Sequence, residues 1–134
     1  MAKVALIIVG VLVAGFLLLV SPFVYFASKS ANQQRALKNR SDFPQIAGAC
    51  VTLARANTNH TGFIYPDNPV VPPLLRSLAP KYITANSNSV RMEFHGGFDH
   101  YGFRVRQSET NAKLWTISWY TEQGERLLET VQHD

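Results

Sequence analysis

The sequence predicts an α+β fold: an N-terminal transmembrane helix with a polar stalk, then one or two short helices packed on a three- to five-stranded antiparallel meander. Two observations support this prediction. Residues 4–26 contain no charged side chain, and about 20 such residues in a helix are enough to span a bilayer. Further along the chain, apolar and polar residues alternate with the period of a half-buried strand.

The apolar segment lies between basic residues, with Lys3 before it and Lys29 after it. Aromatic residues stand just before Lys29, as is typical of side chains at the lipid headgroups. The segment is longer than the apolar core of a cleaved signal peptide, which has about 7 to 15 residues. Cleavage near Ser28 to Ser30 is the alternative. We expect the segment to stay attached and to contact the lipid bilayer through residues 4–26.

The charges at the two ends of this segment allow two orientations. Lys3 and the terminal amine stand on one side. The bases on the other side are Lys29, Arg35, Lys38 and Arg40. The positive-inside rule then places the domain in the cytoplasm. A short basic start before an apolar run is equally typical of a signal anchor with an exported domain, so the side of the membrane stays open.

The residue pattern divides the chain into four parts. Residues 1–3 form a tail, 4–26 the transmembrane helix, 27–41 a helical stalk and 42–134 the domain. A chain of 134 residues has room for one such domain.

The domain is predicted to open with a helix that starts at Ser41 or Asp42. Asp42 followed by Gln45 has the form of a capping box, and Pro44 suits the first turn. An apolar stripe follows at helical spacing: Ile46, Ala49, Cys50 and Leu53. This helix should pack on the sheet, with Cys50 as a small core residue.

A loop is predicted over residues 57–71, which contain several Gly, Pro, Asn and Asp residues. Pro72 and Pro73 can open a short helix that ends at Pro80. The rest is predicted to be β structure, because apolar residues alternate over 90–95, 101–106 and 115–119. Residues 96–99 supply a hairpin turn, and Gly124 turns the chain into a last strand around Leu127 and Leu128.

Composition excludes several classes of function. One cysteine cannot form an intrachain disulfide or a C-x-x-C motif. The formal net charge of +4 comes from scattered bases, and this is more typical of a solvated surface than of a nucleic-acid site. The sequence contains no H-E-x-x-H, P-loop or G-x-G-x-x-G motif. We therefore expect no enzymatic activity, no cofactor and no nucleic-acid partner.

Three residues around the predicted hairpin turn form the first candidate site. His95, Asp99 and His100 bracket Gly96 and Gly97, and imidazole and carboxylate groups are metal ligands and acid–base catalysts. The spacing supplies no third ligand of a recognised motif, and Asp beside Gly is common in turns. A structural turn is the preferred interpretation.

The second candidate site is the face of the sheet opposite the apolar rows. Its predicted bases are Arg91, Arg104, Arg106 and Lys113. Such a face can bind phosphate or an acidic partner. Tyr120 is its one predicted aromatic residue, which is too little for stacking nucleic-acid bases. The preferred interpretation is a solvated face on which Glu93 pairs with an arginine across the hairpin.

The order of elements resembles that of type IV pilins and pseudopilins, because a membrane helix extended by a polar stalk precedes a helix and an antiparallel meander. Pro22 lies at the end of the apolar run, where such a helix often bends. The short basic leader ending in Gly is missing, and Ala5 stands where the family's glutamate would be if Met1 were the first mature residue. The resemblance therefore implies the architecture without processing or filament assembly.

These patterns lead to one functional expectation and two alternatives. We expect a membrane-anchored, non-enzymatic domain that binds a protein partner or scaffolds a complex. The alternatives are a self-associating, pilin-like assembly subunit and a domain that binds anionic surfaces through its arginine face.

Overall fold

The structure is a computed structural model that describes residues 2–56, 62–96 and 99–134. It confirms the α+β fold, with short helices and a five-stranded antiparallel sheet after a long N-terminal helix. The helices are α1 (Ala2–Lys38), α2 (Phe43–Ala56) and α3 (Pro73–Ser77). The strands are β1 (Tyr82–Asn86), β2 (Ser89–Gly96), β3 (Asp99–Gln107), β4 (Leu114–Thr121) and β5 (Gly124–Gln132).

Helix α1 combines an apolar part with a part that packs on the domain. Within the described chain it is the one helix long and apolar enough to cross a membrane, with a mean hydropathy of 3.0 over its most apolar 18 residues. Residues 2–29 are exposed apart from the half-buried Val20. Beyond them, Ser30 and Leu37 are buried. The predicted membrane helix therefore continues without a break past Pro22 and ends on the domain.

Helix α2 begins at Phe43, with Pro44 in its first turn as predicted. The backbone N–H of Ile46 donates to the Asp42 carbonyl at 3.0 Å. The Asp42 carboxylate lies against Arg40, whose Nε and Nη2 atoms are 2.8 and 2.7 Å away. These hydrogen bonds lower the pKa of Asp42. Asp42 thus stabilises the turn before α2 through Arg40, a partner that the capping-box pattern does not predict.

The sheet is a meander in the order β1-β2-β3-β4-β5, and neighbouring strands are antiparallel. Strands β2 to β5 confirm the sequence prediction, whereas β1 was not predicted. The turn between β1 and β2 depends on Asn86, whose Oδ1 accepts hydrogen bonds from the backbone of Asn88 and Ser89 at 3.0 and 2.8 Å. At the β4–β5 turn, Gly124 has a φ of 142°, which side chains rarely permit. In the predicted turn at 96–99, Gly97 and Phe98 lie outside the described residues.

The core lies between α2 and one face of the sheet. The helix contributes Ile46, Cys50 and Leu53, all 0% exposed. Burial raises the pKa of the Cys50 thiol, so the thiol stays protonated and serves as the predicted core residue. The sheet contributes Val90, Met92, Phe94, Tyr101, Phe103, Val105, Trp115, Ile117 and Trp119. Regular alternation along β2, β3 and β4 therefore sends the opposite set of side chains to the other face.

The predicted loop also joins the sheet. Its residues 57–61 lie outside the described part of the chain. Ile64 exchanges two backbone hydrogen bonds with Ile83, both of 2.7 Å. Both side chains are buried. The bridge therefore covers part of the β1 edge, and α3 follows at the predicted prolines.

Candidate functional site

On the sheet face away from α2, three residues stand in one row across β2, β3 and β4. Glu93 is opposite Gly102, and Gly102 is opposite Tyr120. The side chain of Glu93 is 0% exposed, although α2 packs on the opposite face of the sheet. Neighbouring side chains therefore shield the carboxylate from solvent.

Three side chains contact the Glu93 carboxylate. The Tyr120 hydroxyl donates to Oε2. Arg91, two residues before Glu93 on the same strand, donates to Oε2 from Nη2 at 2.9 Å. His100 Nδ1 lies 3.1 Å from Oε1. We call these five residues the sheet-face cluster: Arg91, Glu93, His100, Gly102 and Tyr120.

Gly102 makes this contact between separate strands possible. A Cβ atom at this position would overlap the backbone carbonyl of Met92 and would lie 2.8 Å from the Tyr120 hydroxyl. Without that atom, Tyr120 reaches across β3, and its hydroxyl also donates to the Met92 carbonyl at 3.2 Å. The glycine therefore permits the close approach of two side chains that stand on β2 and β4.

The cluster stabilises a carboxylate in its ionised form. Burial raises the pKa of Glu93, but hydrogen bonds from Tyr120 and Arg91 outweigh this effect, so the net pKa is lowered. Burial and the adjacent carboxylate raise the pKa of Tyr120, which keeps the phenol protonated as a donor. A charge-assisted network of this kind fixes the positions of the strands.

The arginines of this face also contact the Tyr120 ring. The guanidinium carbons of Arg91 and Arg104 lie 4.9 and 5.4 Å from the ring centroid, within the range of cation–π contacts. Arg104 Nη1 is 3.0 Å from Glu125 Oε2. The register places Arg91 directly opposite Arg104. The two carboxylates and the aromatic ring offset the repulsion between these like charges.

The predicted arginine face is therefore only partly available to a ligand. Arg91 and Arg104 are engaged with Glu93 and Glu125, whereas Arg106 is exposed. Lys113 precedes β4, and its Nζ lies 3.5 Å from Asp134 Oδ1. The prediction that Glu93 pairs across the hairpin was wrong: its arginine partner is Arg91, on the same strand, because residues two apart share a face.

The candidate turn residues lie near this cluster. The register places His95 opposite His100, while the side chain of His95 lies outside the described part. Asp99 is exposed, and it lines a cavity of about 200 Å³ together with His100 and Gln34. Within the described chain, no three His, Cys, Asp or Glu side chains are grouped to hold a metal ion.

A second site lies where the end of α1 meets β5. The apolar residues of α1 end before this point, and its last turns contact the sheet: the Tyr101 hydroxyl donates to Gln33 Oε1 at 2.7 Å, and Lys38 Nζ lies 6.0 Å from the centre of the Trp119 ring. A groove of about 430 Å³ remains beside this contact. Its lining residues are Ala31, Gln34, Arg35, Lys38, Asn39 and Arg126, and we call it the basic groove.

The basic groove is lined by basic side chains whose hydrogen-bond donors have no charged acceptor among the described residues. Arg35, Lys38 and Arg126 form no ion pair with any described residue. An adjoining cavity of about 370 Å³ is lined by Lys38, Trp119 and Arg126 among others. The indole Nε1 of Trp119 is buried and has no hydrogen-bond partner within the described chain. The groove therefore favours a ligand that supplies acceptors and negative charge.

The sequence predicted which residues share this sheet face, but it predicted neither the contact between Glu93 and Tyr120 nor the basic groove. Glu93 and Tyr120 are 27 residues apart, and Arg126 reaches the end of α1 only after the meander has formed. A glycine at position 102 inside an alternating strand was a usable signal, because such a glycine marks a close approach of neighbouring groups.

Comparison with known proteins adds no relative. No family model, curated protein or solved structure matches the chain. The functional argument therefore rests on the geometry of α1, the sheet-face cluster and the basic groove.

Proposed function

We propose that this chain is a single-pass membrane protein whose α+β domain binds a protein partner or scaffolds a complex, without a catalytic role. One observation supports the proposal above all others. Helix α1 is unbroken from Ala2 to Lys38, yet it is exposed and apolar over its first part and buried against the domain near its end.

The exposed part of α1 needs an apolar environment. Leu12 and Phe16 are 67% and 65% exposed, and their neighbours in residues 4–26 carry no charge. Transfer of each such side chain out of water is favourable by about 1.5–3 kcal/mol. A bilayer supplies that environment for a whole helix, because its hydrocarbon core matches about 20 helical residues.

The buried part of α1 connects the domain to the membrane without a flexible linker. Leu37 is 6% exposed within the core, and Gln33 accepts a hydrogen bond from Tyr101. The domain is then held in a fixed orientation relative to the bilayer, which suits a protein that presents one surface to a partner.

The sheet-face cluster is better suited to structure than to catalysis. A catalytic carboxylate needs access to a substrate, whereas the Glu93 side chain is 0% exposed and contacts Tyr120, Arg91 and His100. This geometry favours a role in holding the strands together.

Photocrosslinking in intact membranes tests the proposal. A photoreactive residue is placed at Asn39, in the basic groove, and a matched one at Ser87, in the exposed β1–β2 turn. We expect one reproducible heterologous adduct from Asn39 and little from Ser87. Recovery of uncrosslinked monomer alone from both positions contradicts a scaffolding role.

A pilin-like assembly subunit is the second candidate. The observation that favours it is the shape of α1, a long helix that is exposed at its apolar end, contains Pro22 and packs its polar end on an antiparallel meander. Here the photoreactive side chain would be placed on the apolar part of α1, at Leu12. An assembly subunit gives a ladder of self-adducts, and a scaffold in the proposed sense does not.

A further inference from the structure

Three of the bases that have no carboxylate partner among the described residues lie together, on the end of α1 and on β5. Arg91 and Arg104 contact Glu93 and Glu125 across the sheet. In contrast, Arg35, Lys38 and Arg126 line one groove without an ion pair among the described residues. Three positive charges that no described carboxylate compensates therefore line one groove between α1 and β5.

From this juxtaposition we infer that the basic groove binds an acidic segment of a protein partner, with its carboxylates at Arg35, Lys38 and Arg126. The inference rests on the proposed interaction function and names the chemistry of the partner. Arginine binds a carboxylate through two parallel N–H donors, and lysine adds a point charge. A volume of about 430 Å³ accommodates acidic side chains rather than a folded domain.

The position of the groove along α1 favours a protein over a lipid headgroup. Arg35 and Lys38 follow Phe26 by nine and twelve residues, which is about 14 and 18 Å of helix. The headgroup layer of one leaflet is only about 5–8 Å thick, and an average tilt of about 20° shortens the helical distance little. The groove therefore lies farther from the bilayer centre than the phosphates of the membrane that α1 spans.

The acidic residues of the two adjoining cavities leave the groove open. Asp99, Glu122 and Glu125 line those cavities, and Glu125 is bonded to Arg104. None of the three lines the basic groove itself. The approaching partner therefore meets a positive surface whose described lining contains no carboxylate.

Binding of an octaglutamate peptide to the full chain in uncharged detergent micelles tests the inference, with octaglutamine as the uncharged probe. Each of Arg35→Gln, Lys38→Gln and Arg126→Gln should weaken octaglutamate binding about tenfold, because each removes a charge-assisted hydrogen bond. Arg126→Lys should retain part of the affinity for octaglutamate that Arg126→Gln loses. The matched controls are Arg106→Gln and Lys81→Gln, which remove the same charge from exposed positions outside the groove and should weaken binding less than twofold.

Two results of the binding assay overturn the inference. Equal weakening by the groove and control variants would mean attraction to the net charge alone. Binding to phosphatidylserine vesicles without binding to octaglutamate would assign the groove to a lipid headgroup. The crosslinking experiment in membranes tests the proposed function separately. A crosslink whose yield is unchanged by Arg126→Gln supports a scaffold and rejects this groove. Absence of any adduct rejects the scaffold.

Discussion

The hydroxyl of Tyr120 on β4 donates a hydrogen bond to the buried carboxylate of Glu93 on β2, across the strand that lies between them. The intervening residue is Gly102, whose hydrogen occupies the place where a side chain would block the contact. Three strands are thus joined by one row of residues on the face opposite α2. This relationship makes the sheet-face cluster a stabilising element of the domain.

Substitution Gly102→Ala should destabilise the domain by about 3 kcal/mol, at the upper end of the range for overpacking. The new Cβ overlaps the Met92 carbonyl and displaces the Tyr120 hydroxyl. Urea unfolding of the full chain in detergent measures the loss through Trp115 and Trp119, which are the two tryptophans of the chain and lie in the core.

The control for this prediction is Gly48→Ala in α2. There the nearest atom to an added Cβ is His133 Nε2 at 3.5 Å, an ordinary contact. Alanine favours a helix over glycine by about 1 kcal/mol, so Gly48→Ala should leave the domain as stable or more stable. A Gly102→Ala protein with wild-type stability would reject the described role of the glycine.

The ionised Glu93 should make the free energy of unfolding depend on pH. Its folded-state pKa is lowered, whereas an unfolded Glu titrates at about 4.3. Its contribution is therefore complete above that value and is lost as the pH falls through the lower folded-state pKa. The urea midpoint of the wild type should fall as the pH is lowered from about 5 to 3, and Glu93→Gln should have a shallower dependence.

Glu122→Gln is the matched control for Glu93→Gln, because Glu122 is exposed beside the β4–β5 turn. This variant should keep the wild-type slope. At pH 7, Glu93→Ala should also cost about 1–3 kcal/mol, since it removes the carboxylate that accepts a hydrogen bond from the buried Tyr120 hydroxyl. The account is contradicted if Glu93→Gln and Glu122→Gln respond to acid in the same way.

The end of α1 should contribute to the stability of the domain, while its apolar part should not. Leu37→Ala removes a side chain that is 6% exposed and should cost about 2–5 kcal/mol. Leu19→Ala makes the same change at a position that is 73% exposed on the same helix, and it should leave the urea midpoint unchanged. Equal effects of the two substitutions on the urea midpoint would mean that the end of α1 is not part of the domain core.

Much of the fold follows from local pattern. The apolar run at 4–26, the stripe through Ile46 and Leu53, and the alternation in β2, β3 and β4 each fix an element, because periodic burial and secondary structure share one geometry. Strand β1 was missed because it has only five residues, too few to give a clear period. It gains its pairing from β2 and from the bridge at Ile64.

The sites follow from register and packing rather than from spacing along the chain. The partner of Glu93 could be identified only once Gly102 was placed between Glu93 and Tyr120. The basic groove joins Lys38 on α1 to Arg126 on β5, which are far apart along the chain. Bases that are scattered along the sequence therefore come together in the fold, in the basic groove and in the sheet-face cluster.

The most direct test of the account is whether α1 holds the chain in a membrane. Membranes that contain the full chain are washed with alkaline carbonate, which releases peripheral proteins. We expect the wild type in the pellet and a Leu12→Arg/Val13→Arg variant partly released, because each arginine at the centre of a membrane helix costs about 2.5–3.5 kcal/mol. Recovery of the wild type in the carbonate supernatant would contradict the membrane-tethered account.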